Sequence, residues 1–122
     1  MSISNYIKIF ENNLDSSINA TYSTRNERNF FASSQIKKFV TSGHVLNIGG
    51  GGKRHLAKNL GKDFQVFEID ITGDCDLKIN LDRINKLPFE DNTFDVCCAF
   101  DVLEHLENFH LINDELVRVS KI

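Results

Sequence analysis

The chain is short of the features that commit a protein to several large classes. Its 122 residues include one proline, three cysteines and no apolar stretch near the ~20 residues that span a membrane. An odd number of cysteines, with Cys97 and Cys98 adjacent and Cys75 apart, fits neither a disulfide framework nor a zinc spacing. They read as small buried hydrophobes in a reducing compartment, and no metal site is expected. Positive charge does not dominate either. Fourteen Lys and Arg against seventeen Asp and Glu leave a formal charge of −3, which gives no footprint for nucleic acid. Asn5, Lys8 and Glu11 interrupt the N-terminus, so it is no secretory signal. Together these absences predict a cytoplasmic protein with neither a membrane nor a nucleic-acid partner. What is present, 41% apolar and 25% charged residues, is ordinary globular composition for at most one domain.

Residues 1–42 differ from the remainder and read as a helical N-terminal cap, too short to hold a core of its own. Ile3, Tyr6, Ile7, Ile9, Phe10 and Leu14 recur at helical spacing. A second helix is expected from Glu27 to Thr41, with Phe30, Phe31, Ile36, Phe39 and Val40 as its apolar face and Ser42-Gly43 as its stop. From His44 onward strands alternate with helices. The strands are Val45–Ile48, Phe64–Asp70, a short Leu77–Leu81 and an almost wholly apolar Phe94–Phe100. The helices are Lys53–Leu60, one capped by Asp101 and running through about Leu106, and Phe109–Val119. Pro88 bars a helix through Leu87–Phe89. This alternation implies an α/β fold, a Rossmann-like and mostly parallel sheet with flanking helices, over residues 43–122.

In such sheets ligands bind beyond the carboxyl ends of the strands. Four consecutive glycines, Gly49 to Gly52, follow the first strand and precede a helix, so a cofactor can approach bare backbone there. Asp70 closes the second strand twenty-one residues after Gly49, about the interval (~20 residues) at which an acid holds a ribose diol in dinucleotide folds. These two features serve NAD and S-adenosylmethionine alike. The pyrophosphate pattern G-x-G-x-x-G is incomplete, because Arg54 or His55 stands at the third glycine position.

The second half of the chain decides between them. Val45-Leu46-Asn47-Ile48-Gly49-Gly50-Gly51, Glu68-Ile69-Asp70-Ile71, Leu87-Pro88-Phe89-Glu90-Asp91-Asn92-Thr93-Phe94-Asp95-Val96, Asp101-Val102-Leu103-Glu104-His105-Leu106 and Glu115-Leu116-Val117-Arg118-Val119 occur in that order. Over residues 45–119 the chain thereby resembles the class I S-adenosylmethionine-dependent methyltransferases, particularly the small-molecule group. The resemblance implies that Gly49, Gly50 and Gly51 admit the methionine and ribose parts of the cofactor, with Asn47 at the position of the family's first-motif acid. It further implies that Asp70 holds the ribose hydroxyls, that Ile71 packs on the adenine, and that Asn80, Leu81 or Asp82 lies at the adenine edge. Phe100 and Asp101 border the methionyl group in the same reading. His105 is the candidate general base, because imidazole is the side chain suited to proton transfer near neutrality. Glu104 beside it points to another helix face, so the two form no dyad; His44, His55 and His110 read as surface residues. Tyr22 and Arg25 are placed to close over the cofactor.

Three departures from the family pattern stand out. Asn47 carries no charge, Lys53 stands where a third glycine often sits, and Thr72-Gly73-Asp74-Cys75-Asp76 is too short for a crossover helix. The family also continues beyond Ile122 into further strands. The expectation is therefore a fragment of a methyltransferase acting on a small-molecule acceptor, or else a chain whose sheet a partner chain completes. The competing expectation is a degenerate, non-catalytic partner subunit. A nicotinamide dehydrogenase ranks third, since it leaves Leu87 to Leu106 unexplained.

Overall fold

A computed structural model describes residues 25–100 and 102–121. The expected helix within residues 1–24, Tyr22, and the role of Asp101 as cap and methionyl neighbour lie outside these residues.

Four strands form one parallel sheet in the order β3-β2-β1-β4. They are β1 (Gly43–Ile48), β2 (Phe64–Asp70), β3 (Leu77–Lys78) and β4 (Val96–Ala99). β1 is central, and its Val45, Leu46 and Ile48 are fully buried, as a continuous apolar run in a doubly covered strand requires. One face carries α1 (Arg25–Ile36) and α2 (His55–Leu60), whose Ala32, Ile36, Leu56 and Leu60 pack with Val45, Phe64 and Cys98. The other face carries α3 (Phe109–Val119), whose Ile112, Leu116 and Val119 join Leu46, Ile48 and Ile69. The described part of the sheet is the Rossmann-like arrangement expected. Among the described residues no helix is long and apolar enough to cross a membrane.

Several boundaries differ from the sequence reading, each for a local reason. α1 ends at Ile36 rather than Thr41, and its last turn tightens through Phe39 N–H donating to Ile36 O at 3.0 Å. Its buried face is Asn29, Ala32, Ser33 and Ile36, whereas Phe30 and Phe39, expected on the apolar face, are exposed. α2 begins at His55, two residues later than expected, because Arg54 takes a left-handed conformation with φ 52°. β3 stops at Lys78, and Leu81 belongs instead to a 3-10 turn, Leu81–Arg83. β4 is shorter than Phe94–Phe100, and of its residues only Cys98 is buried, since the strand lies at the edge of the four. Beyond it, Phe94 pairs in parallel with Ser120, and Lys121 N–H donates to Phe94 O at 2.8 Å. Where a helix is expected through about Leu106, the chain makes only a 3-10 turn, Leu103–His105.

Parallel neighbours ordinarily need a crossover of a dozen or more residues. Residues 71–76 nevertheless suffice between β2 and β3, because β3 pairs only with Ile69 and Asp70 at the far end of β2. The chain loops out and re-enters the sheet close to where it left.

Two of the motifs quoted above turn out to be one structural device. Arg118 donates to both carboxylate oxygens of Glu115 (2.8 and 2.9 Å), to Asp91 Oδ1 (2.8 Å), and to the carbonyls of Phe89 (2.8 Å) and Leu87 (3.1 Å). Glu115 in turn accepts the Leu87 N–H at 2.7 Å. The guanidinium fork thus ties the proline-containing loop to α3, a geometry that lysine cannot reproduce. We expect Arg118→Lys to lower the melting temperature nearly as much as Arg118→Ala, and Asp91→Ala to lower it much less. Equal melting temperatures for wild type and Arg118→Lys would remove the fork from the account.

Acid should loosen the same device. Arg118 holds the Glu115 carboxyl below the usual glutamate range, and Asp76 and Asp95 are likewise lowered, by Arg54 and by the His44 N–H respectively. A lowered folded pKa contributes stability above the unfolded value that is lost as pH falls through the folded one.

Candidate functional site

The glycine turn after β1 is held in place by the end of β2. Gly49 N–H donates to Ile69 O at 2.9 Å, and Gly51 N–H donates to Asp70 Oδ2 at 2.9 Å. The other oxygen, Asp70 Oδ1, accepts the Ile71 N–H at 2.7 Å. An ionised carboxylate offers about four acceptor sites, so two remain for a ligand, enough for the two hydroxyls of a ribose. Gly49 has φ +73°, and a Cβ there would lie 2.7 Å from Val102 Cβ, so the turn and the segment after β4 can meet only through glycine.

The turn is also interleaved with the loop after β2. Gly52 and Gly73 face each other so closely that a Cβ on Gly52 would stand 2.8 Å from Gly73 Cα. Asp74 N–H donates to Gly52 O at 3.1 Å. Arg54 contacts Asp74 at 3.0 Å and grips Asp76 with two nitrogens at 3.0 and 3.2 Å, while Asp76 also accepts the Glu68 N–H at 2.7 Å. The residue that breaks the dinucleotide pattern is therefore the bolt that joins the two loops.

Beside this assembly lies a cavity of about 340 Å³. Gly49, Asp70 and Ile71 form one side, Asn80, Leu81 and Asp82 another, and Val102, His105 and Leu106 a third, with Ile69 and Ile79 beneath. This volume is near the low end of ligand cavities, about 300–1,000 Å³. Apolar walls with carboxylates at the margins suit a nucleoside: a flat base against aliphatic side chains and hydroxyls against acids. Among the described residues, nothing comparable supports a pyrophosphate. α2 spans six residues and starts beyond the turn, and the Gly51 N–H is already taken by Asp70.

The expected site residues fall into two groups. Gly49, Asp70, Ile71, Asn80, Leu81, Asp82 and His105 all line the cavity. Ile71 is 61% exposed, an aliphatic side chain standing open at the rim. The Asn80 side chain accepts the Asp82 N–H at 3.0 Å, and Asp82 Oδ1 accepts N–H groups of Glu107 (3.0 Å) and Asn108 (3.3 Å), fixing the opposite wall. Asn47, Gly50, Gly51 and Phe100 do not line the cavity, although the Gly51 N–H donates to Asp70 at its edge. Asn47 and Gly50 are buried behind the turn, and Phe100 packs against the core beneath α1 and α2. The separation expected of Glu104 and His105 is corrected: the 3-10 turn brings Glu104 Oε1 to 3.7 Å from His105 Nε2. Both side chains are more than half exposed, so the approach is weak. His110 also has a neighbour, its ring lying 3.9 Å from that of Phe109. Among the described residues no group of three or more His, Cys, Asp or Glu could hold a metal.

A family model described as a methyltransferase domain matches residues 46–122. The chain belongs to the methyltransferase domain family. Within this methyltransferase domain the match includes the glycine turn, Asp70 and every wall of the cavity. An uncharacterized protein of Methanocaldococcus jannaschii is 33% identical over 92 residues, which cover 70% of this chain and 40% of that relative. A solved structure described as a SAM-dependent methyltransferase from Aquifex aeolicus superposes with a TM-score of 0.53 at 23% identity, over 76% of this chain and 60% of that one. The chain therefore spans less than half the length of the curated relative, and the solved structure carries the likeness of fold.

Some residues that shape the cavity have no signal in the linear sequence. Arg54, Gly73 and Asp76 act through loop–loop contacts, and Ile79, Val102 and Leu106 become walls only after the sheet assembles. Glu68 has a signal that is easy to pass over. A charged residue between Phe67 and Ile69 in mid-strand, in register with Asn47, is unusual enough to mark it.

Proposed function

We propose that this methyltransferase domain binds S-adenosylmethionine and takes part in methyl transfer to a small-molecule acceptor. The observation that carries the reading is the cavity at the strand ends, where an aliphatic slot adjoins a carboxylate with two acceptor sites to spare. Asp70 would hold the ribose hydroxyls, Ile71, Ile79 and Leu81 would enclose the base, and Asp82 or Asn80 would face its polar edge. The cofactor supplies an electrophilic methyl group on a sulfonium. The protein's work is to orient that group, bring the acceptor to it and keep water away. Among the described residues, His105 is the only imidazole lining the cavity, and it is the candidate to take a proton from the acceptor. Free thiols at Cys75, Cys97 and Cys98 fit a reducing compartment such as the cytoplasm.

Calorimetric titration with S-adenosylmethionine tests the reading. We expect one site per chain, and thermal stabilisation of about 2.7 kcal/mol at one hundred times the Kd. Binding together with turnover to S-adenosylhomocysteine over candidate acceptors supports methyl transfer. Binding without turnover in any longer form of the protein supports a non-catalytic subunit instead. Absence of both heat and stabilisation overturns the cofactor assignment.

A further inference from the structure

Asn47 and Glu68 are direct cross-strand partners on the face that carries α1 and α2, and each is only 1% exposed. The Asn47 amide reaches Glu68 Oε1 at 3.4 Å, longer than a well-made N–H···O bond of about 2.7–3.2 Å. Two acceptors are left over. Glu68 Oε2 and Asn47 Oδ1 have no partner among the described residues. The pair sits directly under the glycine turn, where a Cβ on Gly50 would stand 2.9 Å from Asn47 Nδ2 and 3.0 Å from Glu68 Oε2. The charged groups nearest Glu68 are Asp76, which accepts its N–H, and Arg54 and Asp74. Arg54 is committed to Asp74 and Asp76, so it leaves the Glu68 carboxyl without a dedicated counter-charge. Burial accordingly pushes the Glu68 carboxyl above its ordinary range.

An orphaned, fully buried carboxyl aimed at a ligand-binding turn calls for a positively charged, multi-donor group. We propose that Glu68, backed by Asn47, is a proton-linked cation subsite: it holds a proton in the free protein and releases it when a primary ammonium is seated at the glycine turn. This rests on the cofactor reading above, in which that ammonium belongs to the amino-acid end of S-adenosylmethionine. The balance is simple. The carboxyl O–H dissociates, the proton passes to the buffer, and the carboxylate faces the ammonium with no other bond changed. An opposite charge within about 4–6 Å is enough to favour the ionised form. Glu68 is thereby a positioning residue that selects ligands carrying an amino-acid end.

Calorimetry in two buffers of different ionisation enthalpy, over the mildly acidic range, counts the protons. Three ligands are compared: S-adenosylmethionine, S-adenosylhomocysteine and methylthioadenosine, which lacks the ammonium. We expect up to one proton released with each of the first two and none with the third. Affinity for the first two should rise with pH by up to about tenfold per unit in this range, and the rise should be absent in Glu68→Gln. Proton release that is missing from the wild type, equal for methylthioadenosine, or unchanged in Glu68→Gln overturns the proposal while leaving the cofactor assignment intact. Failure of all three ligands to bind overturns both. Should Glu68→Gln not fold, the three-ligand comparison on the wild type decides alone.

Discussion

Gly52→Ala is expected to destabilise the protein by about 2–5 kcal/mol. Two independent costs meet at this position. Gly52 has φ +75°, and an L-residue held in the left-handed region costs about 1–2 kcal/mol. The new Cβ would also stand 2.8 Å from Gly73 Cα, and backbone cannot swing aside as a flexible side chain does. Overpacking of this kind costs about 1–3 kcal/mol. Denaturant unfolding of Gly52→Ala measures the sum of the two costs. A loss below about 1 kcal/mol would mean that the contact between the loops carries no energy. Gly52→Ala should weaken cofactor binding as well, since parting the loops disturbs the Gly51 N–H bond to Asp70.

Asp70→Ala is expected to weaken S-adenosylmethionine binding by at least about 100-fold. Hydrogen bonds to a charged group contribute about 1.5–3 kcal/mol each, and the variant loses two to a ribose at once. It also strips the acceptor from Gly51 and Ile71, so part of the loss arises from a loosened turn. Asp70→Asn divides these contributions. Its single carbonyl oxygen can still take one backbone N–H, yet it cannot accept from two hydroxyls as well. Melting temperature should therefore fall less in Asp70→Asn than in Asp70→Ala, while calorimetry shows a substantial loss of affinity in both. An affinity unchanged in Asp70→Ala removes this residue from the site.

The parts of the fold legible in the sequence were those governed by local pattern. β1, β2 and α3 follow from continuous apolar runs or helical spacing, and β2 and α3 have the limits read from their residues. Where tertiary contact overrides propensity, local pattern misleads. Phe30 and Phe39 look like core residues because they are large and apolar, yet the buried face of α1 uses Asn29, Ala32, Ser33 and Ile36, set by how closely the helix approaches α2. β3 shrank because it meets β2 only at its last two residues, a matter of loop path rather than composition. The site divides in the same way. Gly49, Asp70, Ile71 and His105, read from spacing and resemblance, meet in one cavity. Asn47 and Gly50 lie against Glu68 instead, away from its walls. Strand periodicity shows which side chains share a face, but not which of them a neighbouring loop will cover.

The hydrogen bonds that Asp70 makes to Gly51 and Ile71 have a thermodynamic consequence for recognition. The carboxylate is oriented before any ligand arrives, because its rotamer is fixed by two backbone donors. Little side-chain entropy, at most about 0.5–1.5 kcal/mol per immobilised side chain, then remains to be lost on binding. What the ligand must surrender is chiefly its own freedom. A ribose bound there as proposed would meet a rigid acceptor pair instead of recruiting a mobile one, so discrimination should depend on the ligand's shape more than on the site's capacity to adapt.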